Sequence, residues 1–252
     1  MDQSEMKMFR HAGDRGDIVA AMPAVRALGG GVILIEAAAY TRERLTKDKW
    51  LGLDLLLREQ SYIADVQPWL GQGVDFNLND FRAKLHRWTR TRNNMDKNLA
   101  DWQLEQYGIP ITAKDEAWLR VESPIKAARV IFNRSGAGRP AHAVYQNHLF
   151  PWGAAVDKYR NDAAFVGTEA EHRVFCRIFG TVPHYQTENL HLAARVISGA
   201  DLFIGNQSCC FWIAEGMKKR LVLEVWPGGA NCIIHRDGAL HGWNENVEFP
   251  DL

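Results

Sequence analysis

A net charge of either sign is the first thing this sequence lacks. Thirty Lys and Arg residues balance thirty Asp and Glu, leaving a formal net charge of zero. No global field therefore draws the chain onto nucleic acid or anionic lipid, and any such partner must be met by a local patch. Long hydrophobic runs are missing too, and nothing approaches the roughly 20 apolar residues of a membrane-spanning helix. Met1–Arg10 is polar and charged, unlike a signal peptide. A soluble, cytoplasmic protein is the expectation. Cysteine is sparse, at four residues: Cys176, Cys209, Cys210 and Cys232. Adjacent Cys209-Cys210 cannot supply a C-x-x-C knuckle and no compact His/Cys cluster accompanies them, so no metal site is expected. Reduced, buried thiols are the primary reading, and a nucleophile at a helix start is the alternative. No solenoid-length repeat or low-complexity tract interrupts the chain.

What is present is a folded composition, 46% hydrophobic and 24% charged over 252 residues, enough for one large domain or two small ones. Nine Trp residues are numerous for this length; core filling accounts for most of them. Strands are expected at Lys7–His11, Val32–Glu36 and Val74–Asn77, and helices at Asp17–Leu28, Leu53–Ala64 and Asn93–Tyr107. Gly29-Gly30-Gly31 reads as a helix stop before a buried strand of the parallel type. Ser123-Pro124 marks a boundary within Glu122–Lys126. Beyond it, strands are expected at Ala128–Phe132, Ala163–Val166, Leu202–Ile204 and Leu221–Val225. Helices are expected at Pro151–Tyr159, Glu169–Phe179, Asn189–Ser198 and Cys209–Met217. The tail from Trp226 has no periodicity. Alternating strands and helices imply parallel sheets with right-handed crossovers.

Two strand-to-helix turns carry the chemistry. In His11–Leu28, a loop with Gly13 and Gly16 leads to Asp17 and an apolar helix face of Ile18, Ala21, Met22, Val25 and Leu28. Glycines there permit close backbone approach, and the carboxyl ends of strands are where open α/β sheets place ligands. From the pattern alone, a helix cap is the preferred reading of Asp17. In Ala200–Gly216, ADLFIGNQSCCFWIAEG, a buried strand runs through a Gly-Asn-x-Ser turn into a helix N-terminus, an arrangement that favours a phosphate.

Together these segments resemble the ADP-heptose:lipopolysaccharide heptosyltransferases, glycosyltransferase family nine, and their phage-borne relatives. The first motif matches through Gly16-Asp17, Pro23, Ala24 and Arg26, and the last through Ala200–Gly216. A phosphate-contacting stretch between them resembles Phe132–Arg139. Gln207, Cys209 and Trp212 depart from the family's usual Asp, Gly and His, which bears on the donor nucleotide and on any metal, and leaves the Asp17 match intact. The resemblance implies two Rossmann-like αβα domains, residues 1–122 on the acceptor side and 126–252 on the donor side, facing across a cleft as a compact GT-B fold. It implies inverting transfer of a sugar from a nucleotide diphosphate sugar, the co-substrate, with no tightly bound cofactor. A noncatalytic nucleotide-sugar-binding protein of the same fold is the alternative. An epimerase-like enzyme is disfavoured, because no G-x-G-x-x-G follows the first strand.

Inverting transfer needs a base, a held sugar carbon and neutralisation of the leaving diphosphate. Asp17, now favoured as functional by the family match, is the base candidate; His11 is the second, although a strand-end histidine with no role is its preferred reading. Gly13, Gly16, Asn133, Arg134, Ser135 and Arg139 are candidates for the donor phosphates, with Gly205, Asn206, Gln207 and Ser208 completing the cradle. Glu215 and Glu224 are candidates for the donor ribose, with a solvent-facing acid on a helix an equal reading of Glu215. Gly167 and Thr168 either contact the base or cap the next helix, and the cap is preferred. Arg82–Arg92 holds basic residues around Trp88 with no acid. Arg87, Trp88, Arg90 and Arg92 are therefore candidates for an anionic acceptor, nucleic acid or a phosphorylated glycan; a solvated basic loop is the alternative.

Overall fold

The structure is a computed structural model describing residues 6–36, 47–82, 97–136, 146–228 and 231–252. Two parallel sheets, built on either side of Glu122–Lys126, form the frame. The first contains β1 (Met8–His11), β2 (Gly31–Ile35), β3 (Ile63–Pro68) and β4 (Phe76–Asn77) in the order β3-β2-β1-β4. Its helices are α1 (Arg15–Ala27), α2 (Lys47–Arg58) and α3 (Leu99–Glu105). The second contains β5 (Val130–Asn133), β6 (Ala163–Phe165), β7 (Leu202–Asn206), β8 (Arg220–Glu224) and β9 (Ala239–Gly242) in the order β6-β5-β7-β8-β9. Its helices are α4 (Trp152–Tyr159), α5 (Glu169–Phe179), α6 (Leu190–Gly199) and α7 (Cys209–Gly216).

The glycine run after α1 behaves as its sequence implies. Gly29, Gly30 and Gly31 all adopt positive φ. A Cβ at Gly30 would lie 1.9 Å from the Tyr62 carbonyl oxygen, and one at Gly31 2.1 Å from that of Lys7. The turn can therefore deliver the fully buried β2 between β1 and β3 only without side chains.

Three expectations are corrected. The helix placed at Leu53–Ala64 ends at Arg58, and Ile63–Pro68 is the edge strand β3. Its entry is set by pairing across the fold, with the Gly31 N–H donating to the Tyr62 carbonyl at 2.9 Å. Within the span Asn93–Tyr107, α3 begins at Leu99 because Asn98 and Asp101 form a reciprocal capping box; residues 93–96 lie outside the described set. The aperiodic tail contributes β9, which runs parallel to β8.

The halves meet on an apolar interface. One core cluster includes Ile18, Val25, Leu53 and Leu57 from the first half and Ile131, Ile197, Phe211 and Trp212 from the second. Glycines mark the closest approaches. A Cβ on Gly52 would sit 2.4 Å from the Leu190 nitrogen, and one on Gly16 3.3 Å from Trp212 Cδ1. A second cluster, with Phe132, Trp152, Tyr159 and Phe175, fills the opposite face of the second sheet.

Candidate active site

Both strand orders reverse direction at a defined place, between β1 and β4 in one sheet and between β5 and β7 in the other. Such switch points open a crevice beyond the carboxyl ends of the strands. A cavity with a volume of about 370 Å³ lies there, within the range of small-molecule sites. Its walls are the segments that leave β1 (Asp14–Asp17), β5 (Asn133, Ser135, Gly136), β6 (Val166–Thr168) and β7 (Gln207–Cys210). The first turns of α1, α5, α6 and α7 all reach it, so the positive ends of four helix dipoles converge on one volume.

Asp17 lines this cavity. The capping reading does not hold: α1 starts at Arg15, its N-cap is Asp14, and Asp17 lies inside the first turn. The Asp17 carboxylate instead accepts from Arg82, with Nη2 2.7 Å from Oδ2. His11 is placed differently. It is completely buried, is absent from the cavity lining, and accepts the Gly13 N–H on Nδ1 at 2.8 Å. Burial first, and the charge of Arg82 second, push its pKa down to about 3. It is a neutral structural histidine, and its other ring nitrogen, Nε2, lies 3.4 Å from Gln103 Nε2. Gly13 is also absent from the cavity lining, and a Cβ there would lie 2.5 Å from both Arg82 Nη2 and His11 Cε1.

On the opposite wall, the expected phosphate residues form a network that joins the strand ends. Asn133 donates to the Val166 carbonyl at 2.7 Å and accepts from Ser208 Oγ at 2.8 Å. Ser208 also caps α7, accepting from the Phe211 N–H. Asn206 is buried and exchanges two 3.0 Å hydrogen bonds with the Ser135 backbone. Gln207 donates to Asn231 at 3.0 Å and accepts from the Trp226 N–H at 2.8 Å. Asn133, Ser135, Gly167, Thr168, Gln207 and Ser208 reach the cavity, while Gly205 and Asn206 stand behind it.

Three charged candidates are corrected. Arg134, 6% exposed, forms a salt bridge with fully buried Glu224 at 2.9 Å. Glu224 also accepts from the Asn147 N–H at 2.6 Å and from Trp152 Nε1 at 2.9 Å. Both charges are spent in the core, because a buried ion is tolerated only when paired and hydrogen-bonded, and neither residue lines the cavity. Glu215 is fully buried between Lys218 and Arg236. Thr168 takes the role preferred for it, a capping box with Glu171. Arg139, Arg87, Trp88, Arg90 and Arg92 lie outside the described residues.

Several lining residues escaped the reading of the sequence: Asp14, Arg15, Glu171, Glu188 and Asn231. Thr168-x-x-Glu171 is a capping-box signature that could have flagged Glu171, which also accepts from the Gly136 N–H at 3.0 Å. Nothing in the sequence marks Asn231. Cys209, Cys210 and Cys232 line the cavity, and none of them is in a disulfide. Desolvation pushes Cys210 up to about 12, reinforced by Glu171 and opposed by Arg15, and pushes Cys232 up to about 12 as well. Neither supplies a thiolate near neutral pH. Among the described residues no cluster of His, Cys, Asp and Glu is arranged to hold a metal, and no helix is long and apolar enough to cross a membrane.

Similar solved structures share one architecture. The structure of E. coli heptosyltransferase WaaC with ADP has a TM-score of 0.53 at 9% identity, over 93% of this chain and 92% of that one. E. coli ADP-heptose lps heptosyltransferase II has a TM-score of 0.52 at 14% identity, over 95% and 92%. The glycosyl transferase family 9 protein from Veillonella parvula gives 0.51 at 9% identity, over 96% and 87%. No family model and no curated protein matches the sequence. The chain has the heptosyltransferase fold, two Rossmann-like halves facing across a site.

Proposed function

We propose that this chain is an inverting glycosyltransferase that moves a sugar from a nucleotide diphosphate sugar to an acceptor hydroxyl. The observation that carries the reading is the position of Asp17, a carboxylate at the carboxyl end of β1 in a cavity built at both switch points. The fold of enzymes named as heptosyltransferases, one of them solved with ADP, supports it.

In this reading the donor diphosphate lies toward the converging helix N-termini and Arg15, the cationic side chain lining the cavity among the described residues. The dipoles stabilise charge as it grows on the leaving group. Asp17 takes the acceptor proton while the acceptor oxygen bonds the anomeric carbon. The bond from that carbon to the diphosphate oxygen breaks, and its electron pair leaves with the nucleoside diphosphate. Ser208 and Asn133 hold the β5 and β7 ends in register. The donor enters as co-substrate, with no tightly bound cofactor. The basic run with Arg87, Trp88, Arg90 and Arg92 supports an anionic acceptor, a nucleic acid or a phosphorylated glycan.

A panel of ADP-, GDP- and UDP-sugars tested by thermal shift identifies the donor, because a ligand selective for the folded state raises the midpoint. Asp17→Asn is then expected to lose on the order of a hundredfold or more in turnover while keeping donor affinity. Turnover near that of the parent chain would remove Asp17 from the reaction. Donor binding without turnover by the unmodified chain would favour the noncatalytic nucleotide-sugar-binding protein.

A further inference from the structure

We infer that Arg82 is the positioning residue for the Asp17 carboxylate, and that Gly13 is glycine to make room for it. The inference rests on the glycosyl-transfer reading and adds the group that aims its base.

Arg82 is far from Asp17 in sequence, and the fold brings it there through a chain of bonds. The Leu78 N–H donates to the Arg10 carbonyl at 2.9 Å, extending the β1–β4 pairing. One residue on, Asn79 accepts the Ala12 N–H on Oδ1 at 2.9 Å, and the Arg82 N–H donates to the Asn79 carbonyl at 3.0 Å. The segment 78–82 is thus fastened across the end of β1. Its last residue sends a guanidinium over Gly13 to Asp17, against the Phe81 ring at 5.2 Å.

Three separate features meet in this one placement. The guanidinium passes where a Gly13 side chain would stand, 2.5 Å from the place of its Cβ. Its charge also acts on buried His11. The ion pair is partly sheltered, with side chains 28% and 23% exposed, so it is screened less than a surface pair. A carboxylate on a free side chain samples rotations about its last bond, whereas one held through Oδ2 presents Oδ1 in a restricted set of directions. Oδ1 is then the oxygen that takes the acceptor proton, with the bond changes given above. A base misplaced by about 1 Å can cost on the order of a hundredfold in rate.

The test uses the full chain with the donor from the panel and water as acceptor, reading nucleoside diphosphate release. For Arg82→Ala the expectation is a fall in kcat on the order of a hundredfold with the donor KM unchanged. Arg82→Lys should recover part of the loss, and added guanidinium ion should recover part of it in Arg82→Ala without speeding the unmodified chain. Gly13→Ala should reproduce the kcat loss without responding to guanidinium, because its methyl fills the space the ion needs. A purely structural role would respond neither to the ion nor to the conservative variant. If Arg82→Ala turns over like the parent chain, or if its loss lies in donor KM, or if neither lysine nor guanidinium restores rate, the inference is overturned while the parent reading stands. If the unmodified chain releases no nucleoside diphosphate from any donor, both fall together.

Discussion

Replacing Glu224 by Gln tests whether Arg134 and Glu224 are structural. The carboxylate has no exposed surface and receives three donors: the Arg134 guanidinium, the Asn147 N–H and Trp152 Nε1. Glutamine keeps the volume but turns one acceptor into a donor and removes the charge. One of the three donors is then opposed by an amide N–H. The guanidinium stays buried with its charge uncompensated, stacked over Phe179 at 5.1 Å. Breaking a buried ion pair from one side costs about 3–5 kcal/mol. Unfolding entropy near 2.1 cal/mol/K per residue gives about 0.5 kcal/mol per degree for a chain of this length, so the Tm should fall by roughly 6–10 °C. The assay is calorimetry on Glu224→Gln, on Arg134→Met and on the double variant. The double should recover about 2 kcal/mol relative to the summed single costs, since the partners share one network. A Tm for Glu224→Gln within about 2 °C of the parent, or strict additivity, would refute the argument. If Arg134→Met kept its stability but lost nucleotide binding, the arginine would return to the phosphate site.

Two other measurements follow from the same geometry. His11 is held near pKa 3 when folded, against 6.5 for the unperturbed side chain, so below pH 6.5 the unfolded chain binds a proton that the folded chain refuses. Its contribution to stability is complete above pH 6.5 and is lost as pH falls toward 3, at about 1.4 kcal/mol per pH unit. Denaturation between pH 4 and 6 should show a slope shallower by that amount in His11→Asn, and an unchanged slope would contradict the burial of a neutral ring. Thr168→Ala removes the hydroxyl that accepts the Glu171 N–H at 3.2 Å. It should lower stability by about 1 kcal/mol in urea denaturation, and a loss below a few tenths would mean that Glu171 holds this turn without the hydroxyl.

Glu169–Phe179 was legible as a helix to the residue, because the Thr168 hydroxyl starts it and Gly180 stops it, each a local signal. The buried run after three glycines likewise declared β2. The sequence by itself also determined the two strand-to-helix turns that line the cavity, since strand, short polar loop and helix are neighbours along the chain. Edge strands β3 and β9 were not legible, because each is made by a partner strand and not by its own periodicity. The fate of each charged candidate was likewise beyond the reach of spacing. Arg134 and Asn133 are adjacent in sequence, yet alternate side chains leave a strand on opposite sides. One reaches the cavity, and the other turns into the core to meet Glu224, which is 90 residues away. Asp17 could be read locally as a cap or a base; only the fold brought Arg82 to it, 65 residues on, and left it no cap to make. Local propensity writes the elements, but the environment of a charge is set by what distant segments place around it, and that is decided only when the strands of each sheet pair.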